Sequence, residues 1–126
     1  MDDPEFMIST NPGEPVKPLG KVASGGELSR IMLAIRSVLN QRYGVPTAIY
    51  DEVDTGISGR TARKVGIKLA TIAKGSQVIC VTHSAQIASL ANAHYRIRKS
   101  VVGERSETSV TLLDREGRIE EISRII

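Results

Sequence analysis

Aromatic side chains are scarce in this chain: one Phe, three Tyr and no Trp in 126 residues. Ile, Val, Leu and Ala must therefore fill the core. A platform that stacks single-stranded bases on aromatic rings is also disfavoured. Cysteine is nearly missing too. The lone Cys80 excludes an internal disulfide and reads as a reducing, cytoplasmic setting. Placed inside the apolar run "QVICVT", it reads as a small buried hydrophobe rather than a reactive thiol. No apolar run approaches the ~20 residues of a membrane span, and no signal peptide is visible. There is no G-x-x-x-x-G-K-[ST] phosphate loop and no G-x-S-x-G nucleophile elbow. Cys80, His83 and His94 do not have zinc-ligand spacing. Internal repeats and low-complexity segments are lacking as well.

What remains is an ordinary globular composition, 40% hydrophobic and 25% charged, with the length of one domain. A net charge of +3 permits an anionic partner without demanding one. The opening "MDDPEFM" has the look of a leader, so residues 1–6 are set apart from a single unit spanning 7–126.

Along the chain, "FMIST" reads as a short strand. Prolines at 12, 15 and 18 predict an extended, non-helical loop up to Gly26. A helix follows from about Glu27 to Arg42, with Leu28, Ile31, Met32, Ile35 and Leu39 on one face and Gly44 and Pro46 stopping it. "TAIYD" reads as a buried strand. A second helix spans about Arg60 to Lys74, with Ala62, Val65, Leu69 and Ile72 as its stripe and Gly75 as its cap. "QVICVT" is another buried strand, and "SAQIASLANA" a short helix. "HYRIRKSV" and "ETSVTLLD", split by Gly103, predict an antiparallel hairpin. "REGRIEEISRII" reads as a turn leading into a helix. Strand, helix, strand, helix implies an α/β layer on a parallel sheet.

Three stretches carry chemistry. In "SGGELS", Ser24 and Glu27 have the spacing of a capping box, each satisfying an exposed N–H of the other. The same geometry lets Gly25 and Gly26 bring backbone N–H groups close to an anion such as phosphate, aided by the helix dipole. The two readings are compatible. Asp51 and Glu52 end an apolar strand, where ligands of α/β sheets bind. As a solvated or helix-capping pair they would do nothing further. As a working pair, one carboxylate holds Mg²⁺ and the next orients or deprotonates an attacking water. His83 follows the next strand directly. It is either structural or placed to contact a phosphate.

The order of these stretches resembles the ABC-type ATPases. "ASGGELS" is similar to their signature motif, "TAIYDE" to their Walker B strand, "VDTGIS" to the D-loop and "VTHS" to the switch-histidine loop. Glu27 after the two glycines, where transporters have Gln, resembles the SMC and Rad50-like branch. "STNPGEPVKPLGKVASGGELSRIMLAI", "DEVDTGISG" and "VTHSAQIA" resemble a bacterial DNA-repair member of that branch, from about Phe6 to Ile125. Ala23, where Leu usually precedes Ser-Gly-Gly, departs from the general pattern but suits that member.

The resemblance implies an α/β fold: a parallel-sheet ATPase C-terminal lobe with helices packed on it and a C-terminal β-hairpin. It implies that Asp51 serves the Mg²⁺ of bound ATP, that Glu52 is the catalytic base and that His83 contacts the γ-phosphate. Asp54 would communicate across a dimer interface. Ser24, Gly25, Gly26 and Glu27 would face an ATP held by a second head. The phosphate loop would come from an N-terminal lobe beyond a coiled coil, and DNA would be a partner of the full-length, nucleoid-associated protein. Two other readings stand beside this one. One is another Rad50-like head. The other is a non-catalytic DNA-binding or scaffolding module, using Arg60, Arg63, Lys64 and Lys68 on the second helix with Arg96, Arg98 and Lys99 on the hairpin. A solvated helix face explains such charges more often.

Overall fold

The computed structural model describes residues 2–22, 24–39 and 44–126. Strand β1 (Met7–Ile8) pairs antiparallel with β2 (Lys17–Pro18). One helical turn, α1 (Leu19–Val22), follows. This corrects the expectation of an extended loop up to Gly26. Pro18 is the last proline of the run, and its fixed φ suits the entry to a helix, so nothing after it prevents a turn.

Helix α2 (Gly25–Leu39) leads to strand β3 (Thr47–Tyr50), helix α3 (Gly59–Ile72) and strand β4 (Gln77–Cys80). The expected end of the first long helix, near Arg42, lies outside the described residues. β3 and β4 are parallel and in register from Thr47↔Gln77 to Tyr50↔Cys80. The ladder runs one bond further, from the Val81 N–H to the Tyr50 carbonyl at 2.9 Å. The α/β arrangement is as expected. The cap of α3 is not: Ala73, in right-handed helical conformation, closes it, and Gly75 lies beyond. The Gly75 N–H still reaches the Ile72 carbonyl at 3.1 Å, so a tightened last turn satisfies the end without a left-handed glycine.

Helix α4 (Ala85–Ala88) is a single turn packed on α3. The hairpin is β5 (Tyr95–Val102) and β6 (Arg105–Leu112), turned at Gly103 with φ +65°. Helix α5 (Arg115–Ile125) starts at once rather than after a turn, because Asp114 caps it by accepting the Gly117 N–H at 2.8 Å.

The core lies between α3 and one face of the parallel pair. Leu33, Ala48, Tyr50, Val53, Leu69, Ile72 and Ile87 form it, with Val65, Val78 and Cys80 against them. The stripe of α3 is inward as expected: Ala62, Leu69 and Ile72 are buried, joined by Gly66. The strands are buried on one face only, which corrects the expectation of fully buried strands. Ala48 and Tyr50 point in, whereas Ile49 is 70% exposed and Ile79 and Val81 are also open. On α2 the buried positions are Gly26 and Leu33. Leu28 and Met32, expected on the core face, instead line an open groove with Arg36, Ile49 and Tyr50.

Candidate functional site

The carboxyl ends of β3 and β4 and the first turn of α2 converge at one edge. Asp51, Glu52 and Asp54 occupy the loop after β3, and His83 stands just past β4. Because the strands are parallel and in register, both ends arrive together.

Asp54 ties the two ends. Its Oδ2 accepts from the Thr82 hydroxyl at 2.6 Å and from the His83 N–H at 2.7 Å. Thr82 Oγ1 in turn accepts the Ser84 N–H at 3.0 Å. Burial raises the Asp54 carboxyl, but the bonds from Thr82 and His83, with the charge of His83 nearby, outweigh it and hold it below the usual range. One oxygen of the carboxylate expected to act across a dimer interface is thus engaged within this chain. Thr82 was not singled out from sequence. A hydroxyl two residues past a strand carries no signal until its partner, twenty-eight positions away, is known.

Ser24 and Glu27 form the reciprocal capping box. The Ser24 N–H reaches Glu27 Oε2 at 3.2 Å, and the Glu27 N–H reaches Ser24 Oγ at 3.3 Å. Glu27 thus contributes by shaping the first turn. Gly25 and Gly26 face the acid loop. A Cβ at Gly25 would stand 2.6 Å from Glu52 Oε2, and one at Gly26 would stand 2.8 Å from both the Cβ and the carbonyl of Thr55. A side chain at Gly26 would meet backbone and hold the helix off the loop, whereas one at Gly25 would meet only the flexible end of Glu52. Two further α2 residues reach across. Ser29 Oγ donates to the Asp51 carbonyl at 2.7 Å. Arg30 Nη1 donates to the carbonyls of Val53 at 3.2 Å and Thr55 at 2.7 Å. Neither was legible in the sequence, since both contacts are tertiary.

The structure thus brings Gly25, Gly26, Asp51, Glu52, Asp54 and His83 together, with Ser24 and Glu27 on the adjoining turn. Among the described residues, no three His, Cys, Asp or Glu groups are placed to hold a metal on their own. That donor set does suit Mg²⁺ carried with a nucleotide, which takes one or two carboxylates and completes its shell with phosphate and water. Asp51, exposed at a strand end, is such a carboxylate. Cys80, one residue before the end of the ladder, is kept protonated: burial, with the charges of Asp54 and Asp51, pushes its thiol up to about 11.

The chain has the fold of an SMC head domain. It matches the Smc head with coiled coil and joint from Pyrococcus yayanosii with a TM-score of 0.64 at 21% identity, over 94% of this chain and 25% of that one. A structure described as "ATP-driven dimerization and DNA stimulated activation of SMC ATPases" matches with a TM-score of 0.58 at 22% identity, over 94% of this chain and 78% of that one. Within that class the sequence is RecN-like throughout. It is 53% identical over 126 residues to the DNA repair protein RecN of Halalkalibacterium halodurans. The chain spans about a fifth of the length of the curated relatives it matches, 22% in that case. No protein-family model matches it.

Proposed function

We propose that this chain is the C-terminal lobe of an ATP-hydrolysing head in a RecN-like DNA double-strand-break repair protein. The observation that carries this reading is the meeting of three elements at one edge: an Asp-Glu pair ending β3, a histidine ending β4, and a glycine-bearing helix start packed so closely on the loop that a Cβ added at Gly25 would stand 2.6 Å from the Glu52 carboxylate. A structural role alone does not call for two adjacent exposed carboxylates and a histidine at the same strand ends.

In this reading Asp51 holds Mg²⁺, which when bound with ATP offsets phosphate charge. Glu52 accepts the proton of the attacking water and fixes its direction. His83 contacts the terminal phosphate. Asp54, through Thr82 and the His83 N–H, keeps the two strand ends at fixed separation. Ser24, Gly25 and Gly26 present hydroxyl and N–H groups to the phosphate of an ATP held by a second head, and Glu27 keeps that turn formed. The phosphate loop belongs to an N-terminal lobe of the same protein, joined through a coiled coil. The uncovered face with Ile49, Ile79 and Val81, and the groove at Leu28 and Met32, is where that lobe packs. DNA is a partner of the complete protein, which works in the bacterial cytoplasm at the nucleoid. The basic residues of α3 are a solvated face.

Two substitutions in the complete protein test the assignment. Glu52→Gln keeps shape and loses basicity, so ATP binding stays and turnover falls by at least about 100-fold. Asp51→Asn instead weakens the Mg²⁺-dependent part of binding. Turnover by the Gln variant near the parental rate would remove Glu52 from the chemistry.

A further inference from the structure

We propose that Ser29 and Arg30 form a latch that holds Glu52 in its working conformation, so that the helix beginning at Ser24 governs the catalytic carboxylate of its own head. The proposal rests on the reading of Glu52 as the base.

Glu52 has φ +58°, the one non-glycine residue at positive φ among the described residues. That region is disfavoured for a residue with a Cβ, and such a conformation persists only where the surroundings over-determine it. Here α2 supplies them. Ser29 holds the Asp51 carbonyl, which belongs to the peptide plane entering Glu52. Arg30 holds the Val53 carbonyl, one residue beyond it, and the Thr55 carbonyl further on. The loop adds one bond of its own, from the Thr55 N–H to the Glu52 carbonyl at 3.0 Å. With carbonyls fixed on both sides, Glu52 has little freedom to relax to negative φ.

Gly26 makes the latch possible, because a Cβ there would stand 2.8 Å from the Thr55 carbonyl and hold α2 off the loop.

The latch predicts a sorting of variants in the complete protein. Arg30→Ala lowers kcat by at least about tenfold and leaves the KM for ATP within about twofold, because the group acts on the reacting geometry rather than on binding. Arg30→Lys, whose ammonium can still donate to two carbonyls, recovers part of the loss. Mixing then separates the two roles open to Arg30. An equal mixture of Ser24→Arg and Arg30→Ala proteins forms mixed pairs with one complete site, so about a quarter of parental activity returns if pairing is random. Glu52→Gln mixed with Arg30→Ala returns none, since both lesions fall on the carboxylate side. Recovery in the second mixture and not the first would place Arg30 with the phosphate-facing motif and overturn the latch, as would an unchanged kcat.

A mixture of Ser24→Arg and Glu52→Gln is the control, and its failure to recover would strike the composite site itself. The latch has a separate readout in the 126-residue chain, with no nucleotide. The Thr55 amide, bonded to Glu52, should exchange with solvent faster in Arg30→Ala than in the parent. Equal rates would overturn the latch whatever the ATPase does. Should Arg30→Ala fail to fold, Ser29→Ala, which removes only the hydroxyl to Asp51, carries the same expectations.

Discussion

Asp54 shows what a single side chain contributes at this edge. It is a depressed carboxylate, held ionised by a hydroxyl and an amide against the cost of partial burial. A depressed folded pKa gives stability that is present above the unfolded value of about 4 and lost as pH falls through the folded value. Asp54→Asn should therefore cost about 1 kcal/mol at neutral pH, discounted for solvent screening. The gap between variant and parent should close as pH falls below about 4. Denaturant midpoints across that range measure it. A gap that stays constant to low pH would mean that the charge of Asp54 plays no part in joining the strand ends. Asp51, Glu52 and His83 were all legible as candidates at one edge, because acids or a histidine directly after an apolar strand are conspicuous in one dimension. Asp54 was legible as a motif member, but its use inside the chain was not. Ser29, Arg30 and Thr82 gave no signal, since each acts on a backbone or carboxylate more than twenty positions away.

Among the elements, α3 was the most legible, because its apolar period and its burial agree. Its contact with α4 turns on Gly66. A Cβ there would stand 2.8 Å from Leu90 Cδ1, 3.3 Å from the Ile87 Cα and 3.4 Å from the Gln86 carbonyl. Leu90 can swing away, but the backbone of α4 cannot. Gly66→Ala gains about 1 kcal/mol in helix propensity and loses about 1–3 kcal/mol to overpacking. The net expectation is a destabilised chain with α4 displaced, measurable as a lower melting temperature. A rise would mean that α4 yields without cost. The stripe of α2 is only partly covered, with Ile31 and Ile35 half-buried and Leu28, Met32 and Leu39 open, because this helix is apolar over more than one face, and periodicity alone does not say which face the chain itself covers. The strands were expected to be buried on both faces for a related reason. Their near-continuous apolar sequence is that of a doubly covered sheet, and among the described residues the cover, α3 with Leu33 of α2 and Ile87 of α4, lies on one face. The hairpin was legible from alternation, yet its sides stay exposed. Tyr95 and Ile97 pair with Leu112 and Val110 on one open face.

The whole molecule has more surface than its mass calls for. It exposes 9714 Å², where a compact folded chain of its mass would expose about 6,600 Å². Part of the excess is apolar and contiguous with the groove at Leu28, Met32 and Ile49. Sheets of two strands are marginal by themselves, and the described residues form three of them. In the function proposed above, the chain holds the catalytic and signature side of a Mg-ATP site and takes its phosphate cradle from another lobe. The cradle supplies most contacts to the β- and γ-phosphates, so acids and histidine alone cannot retain nucleotide. Calorimetric titration of the 126-residue chain with Mg-ATP, followed by an assay for released phosphate, tests this most directly. The expected result is no binding at micromolar nucleotide and no turnover by the chain alone. Micromolar affinity accompanied by turnover would contradict the claim, because the chain would then possess a phosphate site of its own.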